Sequence, residues 1–364
     1  MFDPARHEPL TDIAWSEPRA RDAIAAICRD LEAAFDPAGL WPLAPVDYEP
    51  GTAEVVRGIY IGAAGMLHGL YRLAQFSEPR LDARAILEGL EPEPDEEGAG
   101  VSLLAGTSGF LLVAHRFGAA TADALAEVIA ANVEHPSNEL LIGAPGTMLA
   151  ARAMYERTGE ERFAELWRAS ARALLERQEP DGLWTQDLYG SRRRFLGAGH
   201  GFAGNVRALL GAPEWLDDAG ALKRDAFATA RATAVFDGDA ANWPDQPGAE
   251  LSRVQWCHGA PGFITSLAGD DDLLIAAGEM TWRAGPPVNN AGLCHGTGGN
   301  GFAFLTLHAH TGDELWLERA RAFAMHGLAQ VNGRTSLFTG DLGAALLAGA
   351  CIDGDARFPG LDDL

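Results

Sequence analysis

Two cysteine–histidine pairs in glycine-rich turns are the residues of this sequence best suited to chemistry. One pair lies in the string WCHGAPG, which contains Cys257, and the other lies in LCHGTGG, which contains Cys294 and His295. Thiolate and imidazole groups are preferred ligands of a soft divalent metal such as zinc. Three protein ligands leave one tetrahedral position open, as in catalytic zinc sites. The pattern therefore predicts a zinc site with Cys257, Cys294 and His295 as its ligands.

The order of Cys294 and His295 in the chain sets a condition on the backbone. Because the two residues are consecutive, their side chains would diverge in a regular helix or strand. Both reach one metal ion only from an irregular turn, which the flanking glycines permit. His258 is an alternative third ligand, since it directly follows Cys257, but Cys257 would then be left without a partner.

The elements that position these residues repeat along the chain. The pattern Gly-x-x-Gly occurs seven times at roughly even spacing, and a small, apolar run follows each turn, as is typical of a helix buried almost all round. The first glycines are Gly62, Gly106, Gly143, Gly201, Gly259, Gly296 and Gly340. Charged, amphipathic segments lie at residues 19–35, near 80–90, at 121–133, 161–178 and 221–236, near 271–280, and at 313–330. Because β-branched alternating stretches are scarce, we expect few strands.

Seven buried helices that alternate with seven amphipathic helices predict an all-α protein. Stacked helix pairs form either an open solenoid or a closed ring. The first amphipathic helix and the last buried helix complete a seventh pair without an obvious polar capping repeat, which favours an (α/α) toroid of seven inner and seven outer helices. We expect one domain over residues 1–364, in which about the first fifty residues form an outer helix and a lead-in.

Three consecutive turns carry titratable side chains just before their first glycine. His200 lies in the fourth turn, Cys257 in the fifth and Cys294 in the sixth. Adjacent turns meet at one end of a toroid, where the N-termini of the inner helices favour a thiolate or an anionic intermediate. Glycine in these turns would permit a positive φ and a close approach of the backbone. His200 therefore joins the candidate site.

The bulk composition excludes several classes of partner. A formal net charge of −23 over 364 residues repels nucleic acid and anionic membranes. The N-terminus shows no secretory signal, and no apolar run approaches the roughly 20 residues that span a bilayer. We therefore expect a cytoplasmic protein. Its cysteines then indicate metal ligands or buried thiols rather than disulfides, and Cys28 and Cys351 are expected in the core because their helical surroundings are apolar.

The strings RVQWCHGAPG and GLCHGTGGNG, with ELLIGAPG and GHGFAG upstream, resemble the lanthionine synthetase C-like family. The resemblance extends through all seven turns and is closer to the stand-alone relatives than to the nisin-type cyclases. It implies an α/α toroid with zinc held by Cys257, Cys294 and His295. It also implies addition of a zinc-activated thiol, from a peptide cysteine or glutathione, to dehydroalanine or dehydrobutyrine in a peptide, which forms a thioether.

The same resemblance implies three catalytic residues. His200 matches the histidine proposed to transfer a proton, and Arg253 matches an active-site arginine that would stabilise the enolate. Glu139 stands where the cyclases have an aspartate, as in the stand-alone relatives, and would orient His200 or Arg253. The structural alternatives are a helix N-terminal acid for Glu139, a salt bridge for Arg253 and a packing histidine for His200.

Other functions compete with thioether formation. A regulatory protein would hold glutathione on its zinc without turnover. A toroidal glycosidase would need two opposed carboxylates, for which the turns offer only Glu139 and Asp341, and the Cys-His-Gly turns do not look like those of a prenyltransferase. A closed toroid needs no partner chain to bury its core.

Two further segments of the sequence are polar. The loop Gln178–Phe195 contains the basic run Arg192–Arg194 and leads to His200, so it is either a binding site for a carboxylate or phosphate or a solvated surface. Residues 92–97 indicate an acidic loop with no site.

Overall fold

Helices dominate the structure. The computed structural model describes residues 1–47, 55–91, 100–188, 190–269, 271–288 and 290–364. Within these ranges fourteen helices alternate between an inner and an outer set, and four short strands form two hairpins. The acidic loop predicted at residues 92–97 lies outside the described residues. The prediction of an all-α protein with few strands is confirmed.

The inner helices are the ones that follow the seven glycine turns. They are α2 (Ala63–Arg72), α4 (Thr107–Arg116), α6 (Ala144–Thr158), α8 (Phe202–Leu210), α10 (Ala260–Leu267), α12 (Thr297–Thr311) and α14 (Leu342–Asp353). Each inner helix contacts the next in chain order, and α14 contacts α2. The ring is therefore closed, which confirms the toroid predicted from the repeats.

The outer helices correspond to the predicted amphipathic segments. They are α1 (Glu17–Ala33), α3 (Ala83–Glu88), α5 (Ala122–Asn132), α7 (Glu161–Glu176), α9 (Ala219–Thr233), α11 (Asp272–Ala284) and α13 (Glu314–Ala329). Aspartate side chains at Asp82, Asp218, Asp271 and Asp313 accept backbone N–H groups in the first turn of α3, α9, α11 and α13. Helix α1 packs against α14, so the first outer helix and the last inner helix do form the seventh pair.

The second glycine of a turn allows a close backbone approach. A Cβ atom on Gly109 would lie 1.8 Å from the carbonyl oxygen of Leu103, and a Cβ atom on Gly299 would lie 1.8 Å from that of Leu293. The same relation, to a carbonyl six residues earlier, holds at Gly65, Gly146, Gly204 and Gly262. Any side chain at these positions would push the inner helix away from the turn that precedes it.

The first glycine of most turns does not have the positive φ that glycine permits. Gly259 has a φ of +115°, but Gly62 and Gly296 have φ values of −109° and −126°. Crowding explains the glycine at Gly296, where a Cβ atom would lie 2.5 Å from the side-chain oxygen of Asn290. The seventh turn differs again, because α14 begins after Asp341 rather than after its first glycine.

The C-terminal segment fills the interior of the toroid from the end that lies away from the glycine turns. The Asp363 carboxylate binds His68 and Arg72 on α2, and its backbone oxygen accepts a hydrogen bond from Arg116 at the C-terminal end of α4. Phe358 is buried and stacks on Trp256, with ring centroids 5.0 Å apart. This segment therefore connects the far end of the barrel with the turn that carries Cys257.

Two hairpins interrupt the helical pattern. Strands β1 (Gln186–Leu188) and β2 (Ser191–Arg193) pair antiparallel, as do β3 (Val235–Asp237) and β4 (Ala240–Asn242). Both hairpins lie in connections that lead towards a glycine turn, before α8 and α10 respectively. Among the described residues, no helix combines the length and the apolar character that crossing a bilayer would require.

Candidate metal centre

Seven backbone positions, each two residues before the first glycine of a turn, form a ring at the N-terminal ends of the inner helices. They are Tyr60, Leu104, Leu141, Gly199, Cys257, Cys294 and Phe338. Six backbone hydrogen bonds link consecutive positions of the ring. The series starts at the N–H of Leu141, which donates to Gly199, and ends at the carbonyl of Leu104, which accepts from Tyr60. The Cys257 N–H donates to the Cys294 carbonyl at 3.0 Å, and the Cys294 N–H donates to the Phe338 carbonyl at 2.8 Å. This ring places the two cysteines side by side.

The structure brings the three predicted ligands together. One ligand atom each from Cys257, Cys294 and His295 lies within 4.8 Å of the others. Both cysteines are buried, and the histidine is half-buried. Sulfur and nitrogen ligands of one zinc lie about 2.0–2.3 Å from the ion, so they stand about 3.5–3.8 Å apart in a tetrahedral site. Small side-chain rotations therefore suffice for these residues to hold a metal ion.

The two thiols interact directly. A hydrogen bond from Cys294, helped by His295, lowers the pKa of the Cys257 thiol well below its usual value. The same hydrogen bond, together with burial, raises the pKa of Cys294. A negative charge on the pair is therefore more stable on Cys257 than on Cys294, and the thiolate is the form in which cysteine binds a metal ion.

Two further side chains contact the sulfur atoms. The Gln255 amide donates a hydrogen bond from Nε2 to Cys257 Sγ at 3.0 Å. Tyr60 interacts with the Cys294 side chain, and this interaction lowers the pKa of the Cys294 thiol, against the effect of burial. Sequence reasoning missed both residues. Tyr60 occupies in the first turn the position that Cys257 and Cys294 occupy in theirs, so comparison of equivalent turn positions could have found it, whereas no pattern marks Gln255.

His200 and Glu139 form a pair beside the cysteines. Nδ1 of His200 lies 3.0 Å from Oε2 of Glu139, which is fully buried. Burial disfavours a charged imidazole, but the hydrogen bond and the charge of Glu139 outweigh it and raise the pKa of His200. The Glu139 carboxylate also accepts backbone N–H groups from Leu141, Ile142 and Gly143 at the start of α6. Glu139 is therefore a helix N-terminal acid and a partner of His200 at once.

His258 lies outside the ligand cluster. Its ring stacks on that of His200, with centroids 5.9 Å apart, and meets Phe195 at 5.6 Å. Its Nδ1 atom is buried without a hydrogen-bond partner, 3.6 Å from Asp245. Burial lowers the pKa of His258. The His258 ring thus packs against His200, and the structure groups Cys257 with Cys294 and His295 instead.

Arg253 is held by a carboxylate that the sequence reading did not single out. Its Nη1 atom donates to Asp245 Oδ2 at 2.5 Å, and the Arg253 side chain is partly exposed. The charge of Arg253 acts on both His200 and His258, where it opposes protonation. The salt bridge considered as a structural alternative is therefore present, and it holds the guanidinium beside the two histidines.

The basic loop is a hairpin whose arginines differ in their partners. Arg194 binds the Asp181 carboxylate through two hydrogen bonds of 2.7 Å and approaches Glu179 at 3.1 Å. It therefore links the two ends of the same loop. Arg192 and Arg193 are exposed on β2. The loop ends at Phe195, whose ring lies 6.0 Å from that of His200. The end of the loop therefore lies next to His200.

The fold and the site together define the class. A closed ring of seven helix pairs carries two thiols, three imidazoles and a carboxylate at the N-terminal ends of its inner helices. This arrangement is an α/α toroid with a candidate thiolate metal centre. Residues 55–362 match the family model described as lanthionine synthetase C-like protein. The chain belongs to that family, as the glycine turns and the Cys-His-Gly strings indicated.

Similar proteins agree with this assignment. The LanC-like protein GCL1 of Arabidopsis thaliana is 33% identical over 193 residues, which cover 46% of this chain and 43% of the relative. The glutathione S-transferase LANCL1 of Danio rerio is 36% identical over 123 residues, or 29% of this chain and 30% of the relative. The matched segments thus span less than half the length of either relative.

A solved structure of nisin cyclase has the same fold. It superposes with a TM-score of 0.64, covers 92% of this chain and 94% of its own, and is 14% identical in sequence. This likeness concerns the fold alone. Identity to the two stand-alone relatives is higher, in agreement with the resemblance found in the sequence.

Proposed function

We propose that this protein forms carbon–sulfur bonds: it adds a thiol to the β-carbon of dehydroalanine or dehydrobutyrine in a peptide, with zinc as cofactor. The observation that carries the proposal is the position of the Cys257–Cys294–His295 cluster beside the His200–Glu139 pair. Metal ligands and an acid–base pair on one ring of turns fit a reaction that needs both a thiolate and a proton donor.

The proposed cofactor suits the donor set. Two thiolates and one imidazole favour zinc over harder divalent ions, and three protein ligands leave a position for a substrate. When bound, zinc would lower the pKa of a coordinated thiol so that a thiolate is available near neutral pH. Cys257, Cys294 and His295 are the residues that would hold it.

His200 is the proposed proton donor. As the thiolate sulfur bonds to the β-carbon, the electrons of the double bond move onto the adjacent carbonyl and form an enolate. Protonated His200 then gives its proton to the α-carbon, and the proton released by the incoming thiol restores the imidazolium. Glu139 supports this role, because its charge keeps His200 protonated to a higher pH than usual.

Arg253 is the proposed partner of the enolate. A guanidinium lowers the energy of a neighbouring oxyanion most when it is already held in place before the reaction. Asp245 holds Arg253 by a short ion pair. The positive charge of Arg253 opposes protonation of both His200 and His258. The side chain therefore stands close to the place where negative charge would develop.

The proposal also covers the source of the thiol and the compartment in which the protein acts. The Danio rerio relative is named a glutathione S-transferase, which supports glutathione or a similar thiol as the nucleophile, with a peptide cysteine as the other source. All four cysteines are free, as is usual in a reducing compartment, so we place the protein in the cytoplasm.

One experiment tests the proposed function directly. The protein, purified with and without a chelator, is incubated with glutathione and a peptide that contains dehydroalanine, and the product is followed by mass spectrometry. We expect about one zinc per chain and a product whose mass equals the sum of both substrates. Zinc without a product would favour the binding protein over the enzyme, and a product that forms equally well after metal removal would contradict the zinc mechanism.

A further inference from the structure

We propose that Gln255 and Tyr60 are positioning residues of the metal centre, each donating a hydrogen bond to one ligand sulfur. Gln255 serves Cys257, and Tyr60 serves Cys294. Together they set the affinity of the centre for its metal and the electron density on its sulfur atoms. This inference rests on the proposed metal site and adds residues that approach it from outside the ligand set.

Gln255 is fixed close to Cys257 by its own backbone. Its N–H donates to the His258 carbonyl at 3.1 Å, across the turn that contains Cys257. The side chain then places Nε2 3.0 Å from Sγ. Of its two side-chain polar atoms, only the amide nitrogen can donate, so a hydrogen bond to a thiolate is the natural interaction of this contact.

Tyr60 reaches the second sulfur from the first turn of the chain. Its ring stacks on that of Phe338 at 5.2 Å with an interplanar angle of 25°. Its carbonyl accepts the Phe338 N–H at 3.1 Å, and its own N–H donates to Leu104 at 2.8 Å. Backbone and ring contacts therefore fix Tyr60 next to Phe338, whose carbonyl accepts the Cys294 N–H at 2.8 Å, and this arrangement exists only in the closed toroid.

Both donors are uncharged, and this determines their effect on the ligand sulfur atoms. A hydrogen bond draws electron density from a metal-bound sulfur, so the metal remains a stronger acceptor for an incoming thiol. A cation in the same place would compete with the metal for the thiolate instead. Removal of either donor leaves the sulfur more electron-rich and its orientation less constrained.

The test uses Gln255→Met and Tyr60→Phe, which remove the donor and keep the size of the side chain. Gln178→Met and Tyr71→Phe are matched controls, because Gln178 donates to Gly182 at 3.0 Å and Tyr71 to Leu81 at 2.8 Å, both outside the metal cluster. Zinc affinity is measured by competition with a chromophoric chelator. Cobalt(II) is then loaded in place of zinc, and the sulfur-to-cobalt charge-transfer band is recorded.

We expect each site variant to weaken zinc binding about 10- to 100-fold, because the loss of orientation of the ligand sulfur outweighs its greater electron density. We also expect the charge-transfer band to move to longer wavelength, because a more electron-rich sulfur is easier to oxidise. Both controls should keep the affinity and the band of the parent protein. A purely structural role would leave the band where it is.

Two results would overturn the inference: parent-like affinity with an unmoved band in both site variants, or an equal change in the controls. Circular dichroism verifies that each variant is folded, and if Tyr60→Phe is not, Gln255→Met alone decides. Failure of the parent protein to bind zinc or cobalt would instead contradict the proposed metal site itself. The titration of the parent protein shows this before any variant is compared.

Discussion

The imidazole of His200 and the carboxylate of Glu139 face each other at 3.0 Å from turns that precede neighbouring inner helices, α8 and α6. Neither residue is near the other in sequence, and Glu139 is fully buried. The pair exists because the ring sets equivalent turns side by side. Because the charge of Glu139 raises the pKa of His200, a substitution of Glu139 is the most direct test of proton transfer in the site.

The Glu139→Gln variant should lower both the pKa of His200 and the rate of thiol addition. Glutamine keeps an acceptor for the hydrogen bond but removes the negative charge that raises the pKa of His200. The protonated imidazole is then lost at a lower pH, so the alkaline limb of the pH–rate profile moves to lower pH. We expect kcat to fall about 10- to 100-fold.

A pH–rate profile with one dehydroalanine peptide measures this change. Glu134→Gln is the matched control, because Glu134 is exposed and pairs with Arg177 at the surface. An unshifted profile in Glu139→Gln would show that Glu139 serves only the start of α6.

The Cys294→Ala variant should lose metal and activity together. The remaining thiol and imidazole offer two ligands where the site needs three. Cys351→Ala is the matched control, since Cys351 is buried in α14 and should cost stability without affecting the metal. Metal content by mass spectrometry of the native protein decides the matter, and full zinc content in Cys294→Ala would refute the ligand assignment.

The Gly299→Ala variant should destabilise the fold and weaken metal binding. Its Cβ atom would lie 1.8 Å from the carbonyl oxygen of Leu293, the residue directly before Cys294. The backbone must shift, at a cost of about 1–3 kcal/mol as for other overpacked sites. Gly39→Ala is the control, because nothing lies within 4 Å of a Cβ atom there. Urea unfolding and zinc titration measure the two effects, and parent-like values for both would contradict this account of the turn.

The Asp363→Asn variant should destabilise the protein by roughly 3–5 kcal/mol, as is usual when one partner of a buried ion pair is removed. Burial alone would favour a neutral carboxyl, but the charges of His68 and Arg72 hold the pKa of Asp363 well below its usual range. Its contribution is therefore complete above the unfolded pKa of about 4 and is lost as the pH falls further.

Unfolding by urea between pH 7 and pH 3 checks both statements. The parent protein should lose stability as the pH falls below about 4, and Asp363→Asn should lose less over the same range. Asp237→Asn is the control, because Asp237 is 65% exposed and pairs with Arg283 at the surface. Equal pH dependence in the parent and in Asp363→Asn would argue against the proposed role of this ion pair.

The repeating turns made most of the architecture predictable. Glycines that recur at even spacing, each followed by an apolar run, indicate stacked helix pairs, and the structure has the inner and outer helices that the pattern predicts. The gathering of Cys257, Cys294 and His200 in one region was predictable for the same reason. Cys257, Cys294 and His200 occupy nearby positions of consecutive turns, and consecutive turns lie next to one another in the closed ring.

Contacts that depend on side-chain direction could not be predicted. Asp245 reaches Arg253 from an irregular connection, where no periodicity indicates which residues face each other. The burial of Asp363 follows from the path of the C-terminal segment, which no repeat describes. Which turns use the positive φ that glycine permits could not be predicted either: Gly259 has one, whereas Gly296 is a glycine because of the atoms that lie next to it.

The hydrogen bond from the Phe338 N–H to the Tyr60 carbonyl, which joins the last turn of the ring to the first, has a consequence for folding kinetics. Contacts between adjacent turns form over shorter loops, whereas this one joins residues from opposite ends of the chain, so we expect it to form slowly and late. Cys257, Cys294 and His295 can assemble from two consecutive repeats before then. We therefore expect the proposed metal to bind already to an open arc of helices, and Tyr60 to reach the turn of Cys294 only when the arc closes.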